Sequence, residues 1–542
     1  MNQFKDWWKE DKRYLTMLKA VLLALLPILC CLISCGMQGK SIGEVYLPVS
    51  EWNDELFYFK QVESIVNFGY PQGFYGFNES HALKLSFAAW SPVLVFPWIL
   101  WGLLFGWNLM SPIICNILLL TVAVFAFVWL VKPTWKQLGV LTLLFCLYTP
   151  FVRYMLSGMP EIICFSMLIV FYGLAINYLE SEKGYKLALL FAIAGLLVLM
   201  RPYMLLFLLL PVYLWVKKSK WKGLIGSVAV LGVVLGMYAM IKHYLAAEYF
   251  APLFFTDWIT TFFTEGFGAG IHNFFGTLYY MGKDFLRHMR QAIEFGRASG
   301  AYFWGYLVML GILVWQSVAD WRKVRRDKLQ AEKQADNASQ GGSVGIKTRL
   351  VVEAHLAFCF VGMLFALLLM YKLTEGSKHL LTFMGVGVFV ISLMRTRFYK
   401  KAVLLGAVFA FFYTYMAVDP YDYQVPFANE EKVTQVEYWS EAFDAHLELV
   451  DENVPNFDNV IIWVFSDMVS EESVTAKWQI LYGLPKGFGI SCCMPDYIVE
   501  NLENLQSRYI ATVAEGTIDG MCAELGYREI ARDADMVVYE RY

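Results

Sequence analysis

The sequence predicts a mainly α-helical, polytopic transmembrane bundle with a small extracytoplasmic α/β domain at its C-terminal end. Of the 542 residues, 58% are hydrophobic and only 17% are charged, and the mean hydropathy is +0.48, which is too apolar for a soluble protein. Apolar runs of roughly 20 residues, long enough to cross a bilayer, recur along the chain as far as Asp419. From Pro420 onward the composition is that of a soluble unit of roughly 120 residues, large enough to form a small core. We therefore predict a transmembrane module over residues 1–419 and a domain over residues 420–542.

The apolar runs predict about eleven membrane spans, accompanied by interfacial helices. Several of the runs are short for a span, but each lies between polar or charged segments. The spans are predicted to begin near Leu15, Pro112, Leu138, Ile162, Leu187, Tyr203, Leu224, Tyr302, Leu350, Leu380 and Val403.

The basic residues indicate which side of the membrane each loop occupies. Cytoplasmic loops are enriched in Lys and Arg, and the basic cluster before the first span places the N-terminus in the cytoplasm. The segment from Trp90 to Trp107 is apolar, but it contains Pro92 and Pro97 and is predicted to lie in the interface without crossing. With that assignment, more than half of the Lys and Arg residues fall on the cytoplasmic side.

Two loops stand out in this topology. The first external loop, residues 37–109, is the first sizeable polar segment after a span. Residues 320–349 form a cytoplasmic loop whose polar, Gly- and Ser-bearing part, from Arg325 to Thr348, is predicted to be flexible. The domain after Asp419 is predicted to be extracytoplasmic, on the same side as the first loop.

The C-terminal domain is predicted to alternate helices and strands. Apolar, β-branched runs predict strands, and amphipathic stretches predict helices. The predicted order is a helix over residues 430–449, strands over 460–465 and 509–513, a helix near 518–525 and a closing strand over 536–539.

Composition also excludes some classes of function. The 10 cysteines have no ligand-like spacing, and Cys492 and Cys493 are too close for an easy mutual bridge, so no disulfide framework or metal motif is predicted. The net charge of −3 excludes a strongly basic surface for nucleic acid.

Three acidic residues are candidates for catalysis on the external side. Asp54 and Glu55 lie among aromatic residues in the first loop, where a carboxylate could take a proton from an acceptor hydroxyl. Both acids also fit the solvated first turn of an amphipathic helix. Glu161 follows Pro160 at the start of a predicted span, which is an ordinary position for an acid at a helix N-terminus. Because Glu161 is external as well, the acids share one side of the membrane.

Several cations lie on the external side, where the positive-inside rule predicts few, and they suggest an anion site. Arg201 precedes Pro202 between two apolar runs, and Lys378 and His379 open another span, so these three residues could hold a lipid phosphate. Arg153 is explained equally well by snorkelling. His81 is a loop residue for which a simple polar role and a substrate contact both stay open.

Together these motifs resemble the GT-C glycosyltransferases, which are polytopic membrane enzymes that use polyprenyl-phosphate-linked sugars. The resemblance lies in Asn53-Asp54-Glu55, the interfacial Trp/Pro segment, the motif 157–161 (SGMPE), the Arg201-Pro202 break and the motif 375–379 (EGSKH) before a late span. It covers roughly residues 10 to 420, and an external C-terminal domain is common in that class.

The resemblance implies an inverting sugar transfer on the extracytoplasmic face of the cell membrane, in cell-envelope glycan or glycolipid assembly. Asp54 would act as general base, assisted by Glu55, and Glu161 matches the second acidic position. Arg201, Lys378 and His379 would hold the donor phosphate, and Arg153 and His81 would contact substrate. The implied partners are a polyprenyl-phosphate-linked sugar, membrane lipid and a glycan, lipid or protein acceptor. No cofactor is certain, and a divalent metal stays possible.

Two other classes remain as alternatives. A polysaccharide polymerase or ligase would also have many spans, but its large external loop usually comes late and is rich in arginine. A transporter of lipid-linked glycans would carry ionisable residues within its spans and an internal repeat, and the sequence predicts neither.

Overall fold

The structure is a computed structural model, which describes most of the chain. The described residues are 12–73, 75–80, 91–249, 254–295, 298–331, 345–371, 373, 376–393, 399–412, 424–451 and 456–541. Within them, a helical bundle precedes a domain built around a mixed sheet. This is the predicted fold class.

The helical part contains sixteen α-helices among the described residues before Phe412. They are α1 (Lys12–Ala24), α2 (Leu26–Met37), α3 (Asn53–Phe68), α4 (Pro92–Phe105), α5 (Ser111–Val131), α6 (Trp135–Leu147), α7 (Pro150–Met155), α8 (Glu161–Ser181), α9 (Gly184–Met200), α10 (Leu205–Leu245), α11 (Asp257–Thr264), α12 (Phe267–Phe295), α13 (Ala298–Ala331), α14 (Ile346–Leu369), α15 (Gly376–Ser392) and α16 (Tyr399–Phe409). Each predicted span start lies in one of these helices or, for Tyr203, in the short helical turn before α10.

Among the described residues, 6 helical stretches are long and apolar enough to cross a membrane. They are Arg13–Met37, Ser111–Val131, Glu161–Ser181, Pro202–Leu245, Gly300–Asp327 and Ile346–Leu369. Shorter apolar helices occur at α4, α6, α9 and over Lys378–Ser392 of α15. Membrane spanning is therefore supported by length and composition, whereas the predicted number of eleven spans stays a prediction.

The longest element, α10, is two helices folded back on each other. Its backbone leaves helical geometry at Lys220 (φ 44°, ψ −117°). A Cβ atom on Gly223 would lie 2.4 Å from the carbonyl oxygen of Trp215, although eight residues of straight helix separate two positions by about 12 Å. The segment therefore forms a tight hairpin, as two separate spans beginning near Tyr203 and Leu224 require.

Helix α4 is the segment predicted to lie in the interface. Ser91 caps its start, Pro97 lies inside it, and it ends at Phe105. Its 14 residues rise by about 21 Å, less than the hydrocarbon core of roughly 30 Å. This length agrees with a helix that does not cross, and the sidedness itself stays a prediction.

The C-terminal domain contains α17 (Glu430–His446), α18 (Pro495–Asn501) and α19 (Thr517–Glu524) around a six-stranded sheet. The strand order is β1-β5-β2-β6-β8-β7, and β7 and β8 pair antiparallel. A hairpin of β3 and β4 forms a separate two-stranded sheet. The strands are β1 (Gly76–Phe77), β2 (Val460–Val464), β3 (Ser466–Val469), β4 (Glu472–Thr475), β5 (Gly489–Cys493), β6 (Tyr509–Val513), β7 (Arg528–Arg532) and β8 (Met536–Glu540).

The central strand β2 explains why this domain folds. Its alternate residues enter two apolar layers, Ile461 and Trp463 on one face and Ile462 and Val464 on the other. A strand that is buried on both faces has a continuous apolar sequence. This is the pattern from which the sequence predicts β2. The predicted strands over 460–465, 509–513 and 536–539 and both predicted helices are present, with ends that shift by up to three residues.

The sheet also crosses the predicted domain boundary at residue 419. Strand β1 belongs to the first external loop and pairs in parallel with β5. The buried carboxylate of Glu79 then accepts hydrogen bonds from the backbone N–H groups of Gln506 (2.9 Å) and Ser507 (2.6 Å). The first loop and residues 424–541 therefore fold as one unit.

The predicted absence of ionisable residues within spans is wrong. Glu353 and His355 lie inside α14 and are buried or nearly so. His355 shares a 2.9 Å hydrogen bond with the hydroxyl group of Tyr172 on α8, and Glu353 accepts one from Gln316 on α13. Polar groups in a bundle are stable when neighbouring helices provide such partners. In the predicted flexible loop, α13 continues to Ala331, and residues 332–344 lie outside the described part.

Candidate functional site

The candidate site forms where the start of α3, the turn before α8 and the start of α15 meet. Helix α3 begins at Asn53, so Asp54 and Glu55 occupy its first turn, where the helix dipole favours carboxylates. The Asp54 carboxylate accepts a 2.8 Å hydrogen bond from the ammonium group of Lys378. The Asp54 side chain is 38% exposed and that of Lys378 is 29% exposed. This ion pair is therefore open to solvent or substrate.

Glu55 has a different environment from its neighbour. Its side chain is fully buried and pairs with Arg153 at 2.7 Å. It also accepts hydrogen bonds from the Ser50 hydroxyl (2.9 Å) and the Gly158 backbone N–H (2.9 Å). The Arg153 guanidinium lies 3.7 Å from the ring centre of Trp52.

These contacts argue against a direct chemical role for Glu55 and a substrate contact for Arg153, and both roles stay predictions. Both side chains are buried, and the Glu55 carboxylate is occupied by protein donors, whereas Nε and Nη1 of Arg153 have no hydrogen-bond partner among the described residues. The pair instead fixes the start of α3 to the turn that precedes α8. The Arg153 cation is thus explained by its pairing with the buried Glu55 carboxylate, and snorkelling is not needed.

Asn116 on α5 holds the same turn from the other side. Its side-chain amide donates to the backbone oxygens of Ser157 (3.3 Å) and Met159 (3.4 Å). Its amide oxygen accepts from the indole of Trp98 at 3.1 Å. Because one buried amide contacts several carbonyl groups, the turn that leads to Glu161 has a defined conformation.

Glu161 and Arg201 form the second buried ion pair, at the start of α8 and the end of α9. Arg201 also contacts His379 at 3.1 Å and donates to the Tyr203 hydroxyl at 3.1 Å. The Tyr203 hydroxyl and His379 lie 2.9 Å apart. The residues Glu161, Arg201 and His379 predicted from separate motifs are therefore brought together.

The expectation that Arg201 opens into the same cavity as Asp54 is wrong. Arg201 is 1% exposed and His379 is 2% exposed, and Glu161 is fully buried. A buried ion pair surrounded by hydrogen-bonding partners keeps its charges inside the protein. Of the three predicted phosphate ligands, Lys378 alone has the required exposure.

Tyr58 lies within electrostatic range of both the exposed pair Asp54–Lys378 and the buried pair Glu161–Arg201. The sequence analysis missed this residue. It lies one helical turn after Asp54 on α3 and is 6% exposed. Burial first, and then the negative charge of Asp54, raise the pKa of Tyr58 well above its ordinary value, while Arg201 and Lys378 act in the opposite direction. The i, i+4 spacing from Asp54 was the signal that could have identified it.

Tyr249 and Cys492 lie within electrostatic range of Asp54. Burial is the main cause that raises the pKa of each side chain well above its ordinary value, and the Asp54 charge adds to the shift. Tyr249 packs on Phe77 of β1 with ring centres 4.5 Å apart. The sheet domain therefore contributes directly to the surroundings of Asp54. His81 lies outside the described residues.

This arrangement can bind an anion and accept a proton at neighbouring atoms. Lys378 supplies an accessible positive charge, and Asp54 supplies an accessible carboxylate at hydrogen-bonding distance. The two buried ion pairs hold both helices in place beneath them. Within the described part of the chain, no group of three or more His, Cys, Asp or Glu residues is placed to hold a metal ion, so no metal ligands are assigned.

Fold and site together define a polytopic helical membrane protein with a partly exposed acid–base pair where the start of α3 meets the start of α15. No protein-family model matches the chain, and no curated protein matches it significantly in sequence. Two similar solved structures are crystal structures of ArnT from Cupriavidus metallidurans, one bound to undecaprenyl phosphate and one in the apo state. Their sequence identities to this chain are 11% and 12%, and their TM-scores are 0.41 and 0.39. Each alignment covers 96% of this chain and 97% of the ArnT chain, but these scores are too low to transfer a function.

Proposed function

We propose that this protein is a membrane glycosyltransferase that transfers a sugar from a polyprenyl-phosphate donor to an acceptor hydroxyl on the extracytoplasmic side. The observation that carries the proposal is the exposed ion pair of Asp54 and Lys378, at 2.8 Å. It joins the first external loop to the entrance of α15, where a lipid-borne phosphate can approach from the bilayer. Cell-envelope glycan or glycolipid assembly is the expected setting.

The proposed reaction uses Asp54 as general base and Lys378 as the phosphate partner. The acceptor oxygen attacks the anomeric carbon and gives its proton to the Asp54 carboxylate. The bond between the anomeric carbon and the phosphate oxygen breaks, and the polyprenyl phosphate leaves with the electron pair. Lys378 neutralises the charge that develops on this leaving group. Attack opposite to the leaving group inverts the anomeric configuration.

Donor binding would rearrange the resting ion pair. A phosphate group competes with Asp54 for the Lys378 ammonium, and charge-assisted hydrogen bonds of this kind are worth about 1.5 to 3 kcal/mol. Moving Lys378 toward the phosphate leaves the Asp54 carboxylate available to the acceptor. Lys378 would thus bind the donor phosphate, and its movement would free Asp54 to act as the base.

The buried residues would act by positioning. Glu161 and Arg201 fix the junction of α8 and α9, and the contact of Arg201 with His379 extends this junction to α15. His379 is the residue after Lys378, so this network sets where Lys378 stands. Arg201 would add positive potential near the site, which its effect on Tyr58 supports, without touching the donor.

A transporter of lipid-linked glycans is the second candidate, because Glu353 and His355 are ionisable residues within α14. A polymerase or ligase would share the chemistry proposed here and differ in its acceptor. A transporter has no need of a base beside its phosphate site. Loss of sugar transfer, with donor binding retained, on changing Asp54 would favour the enzyme.

The proposal is tested by the lipid that the full-length protein retains during purification in mild detergent. Mass spectrometry of the extracted lipid should detect a polyprenyl phosphate, with or without a sugar. Reconstituted protein should then transfer sugar from polyprenyl lipid isolated from the same membranes. Absence of any polyprenyl species, together with absence of transfer, would refute the proposed function.

A further inference from the structure

A polar groove lies beside the candidate site, between the first external loop and the sheet domain. Its volume is about 500 Å³, within the range of small-molecule sites. Four segments contribute to it: the start of the first loop, one face of α17, the segment that follows β4 and the turn between β7 and β8. The lining residues are Pro48, Glu51, Glu431, Lys432, Thr434, Gln435, Tyr438, Lys477, Gln479, Asp533, Ala534 and Asp535.

The helical wall of the groove is a continuous stripe on α17. Glu431, Thr434, Gln435 and Tyr438 are spaced i, i+3, i+4 and i+7, which places them on one helix face. An adjacent face of α17 packs into the apolar core of the domain through the fully buried Trp439 and Phe443. The stripe is therefore presented by a helix that the core holds firmly.

Hydrogen bonds fix the side chains that face the groove. The Asp533 carboxylate accepts from the Gln435 amide (2.7 Å) and from the Trp439 indole (2.7 Å). The Gln435 amide nitrogen also donates to Asp535 at 3.1 Å, so the Gln435 carbonyl oxygen is left for the groove. The Tyr438 hydroxyl donates to the Arg532 backbone oxygen at 2.9 Å, while the Tyr438 residue stays 42% exposed. The groove therefore offers a fixed aromatic face and a fixed acceptor.

Gln479 connects the groove to the first loop. It is 8% exposed, and its amide nitrogen donates to the Ser50 backbone oxygen at 3.1 Å. Its amide oxygen has no hydrogen-bond partner among the described residues. Buried polar atoms of this kind are rare in folded proteins, because an unmade hydrogen bond costs free energy.

The charges of the groove select against anions. Four carboxylates line it, at Glu51, Glu431, Asp533 and Asp535, against the ammonium groups of Lys432 and Lys477. Lys432 is already paired with Glu51 at 2.9 Å. The net negative charge disfavours phosphate, sulfate and uronic acids, whereas carboxylates, amides and an exposed ring suit a ligand rich in hydroxyl groups.

We infer that this groove binds an oligosaccharide without acidic groups, and that under the proposed function this glycan is the acceptor. The groove adjoins the reacting end of the site, because Glu51 precedes Asp54 by three residues and the two Cα atoms lie at most about 11 Å apart. Gln479 also contacts Ser50, whose hydroxyl donates to Glu55. A glycan held along α17 can thus extend one hydroxyl group toward Asp54.

Binding of defined hexasaccharides to the full-length protein in nanodiscs tests this inference without any donor. Saturation-transfer NMR should detect chitohexaose, its fully deacetylated form or cellohexaose, and should not detect hexagalacturonic acid. Tyr438→Ala and Gln435→Ala should each weaken binding of the retained probe about tenfold. Asp444→Ala, on a face of α17 that does not line the groove, should leave binding unchanged.

The outcomes separate this inference from the proposed function. Binding of neutral or amine-bearing glycans that is lost in both groove variants supports the groove even if no sugar transfer is found. Equal binding in the variants and in Asp444→Ala, preference for the acidic probe, or failure to bind any probe would overturn the inference. None of these results changes the donor test at Asp54 and Lys378.

Discussion

Lys378 donates a 2.8 Å hydrogen bond to Asp54, although 324 positions separate the two residues in sequence. Exposed ion pairs of this kind contribute only about 0 to 1 kcal/mol to stability. The surrounding pairs Glu55–Arg153 and Glu161–Arg201 are buried and hold the helices together. The exposed pair therefore has little structural value, which is why we assign it the chemistry.

Lys378→Ala should weaken retention of polyprenyl phosphate about tenfold or more, because a charge-assisted hydrogen bond to phosphate is lost. Lys40→Ala is a matched control, since Lys40 forms a comparable exposed pair with Glu44 at 3.0 Å. The measurement is the ratio of polyprenyl phosphate to protein after identical purification. Equal ratios in the two variants would remove Lys378 from the donor site.

Glu55→Gln should destabilise the protein more than it changes the chemical step. The substitution leaves Arg153 buried without its countercharge, and breaking a buried pair in this way costs about 3 to 5 kcal/mol. Thermal unfolding in detergent should therefore shift to lower temperature. A variant that unfolds like wild type but has lost sugar transfer would instead return Glu55 to a catalytic role.

Much of the fold could be predicted from the sequence because membrane spans and buried strands are local patterns. The run Val460–Val464 is apolar throughout, and β2 forms there with both faces buried. The edge strand β7 was missed, because its sequence Arg528–Arg532 is largely polar and gains its position only by pairing with β8. Strand β1 was missed for a similar reason: two residues become a strand only when β5 lies beside them.

The candidate site was predictable as a set of residues but not as a set of partners. Sequence motifs indicated Asp54, Glu161, Arg201 and Lys378. These four residues form two ion pairs, Asp54–Lys378 and Glu161–Arg201. Which acid meets which cation depends on helix packing over long sequence separations, and the sequence does not encode it locally. Glu55 is buried and Asp54 is partly exposed, although both adjacent acids suit the first turn of a helix equally well.

Sidedness gives a test of the predicted topology, which places the C-terminal domain outside and residues 320–349 in the cytoplasm. Cysteines introduced at the exposed Ser473 and at Ser343 should react with a membrane-impermeant thiol reagent from opposite sides. The exposed Cys146 is first replaced by Ser to lower the background. Reaction of both sites from the same side would contradict the predicted topology.

The stability of the sheet domain should depend on acid pH through Asp519. Burial would raise the pKa of Asp519, but hydrogen bonds from Arg532 and Tyr539 outweigh burial and hold this pKa below its ordinary value. A lowered pKa in the folded state stabilises the domain above the unfolded pKa of about 3.9, and this stabilisation is lost as pH falls through the folded value.

Asp519→Asn should therefore speed hydrogen exchange in the strands β7 and β8 at pH 7. The difference from wild type should shrink as pH falls below about 4, where the unfolded carboxyl group is protonated. Glu524→Gln, an exposed change near the end of the same helix, is the control. A difference that stays constant across this pH range would show that charge is not the cause.

The central claim, that Asp54 is the base for transfer from a polyprenyl-phosphate sugar, is tested most directly by the lipid bound to Asp54→Asn. The substitution is nearly isosteric, lowers the rate of transfer about a hundredfold or more, and removes the anion that competes for Lys378. Mass spectrometry should therefore find sugar-charged polyprenyl phosphate on Asp54→Asn and mainly bare polyprenyl phosphate on wild type and on the control Asp444→Asn, an exposed site outside the groove. The same ratio of charged to bare lipid in all three proteins would contradict the assignment of Asp54 as the catalytic base.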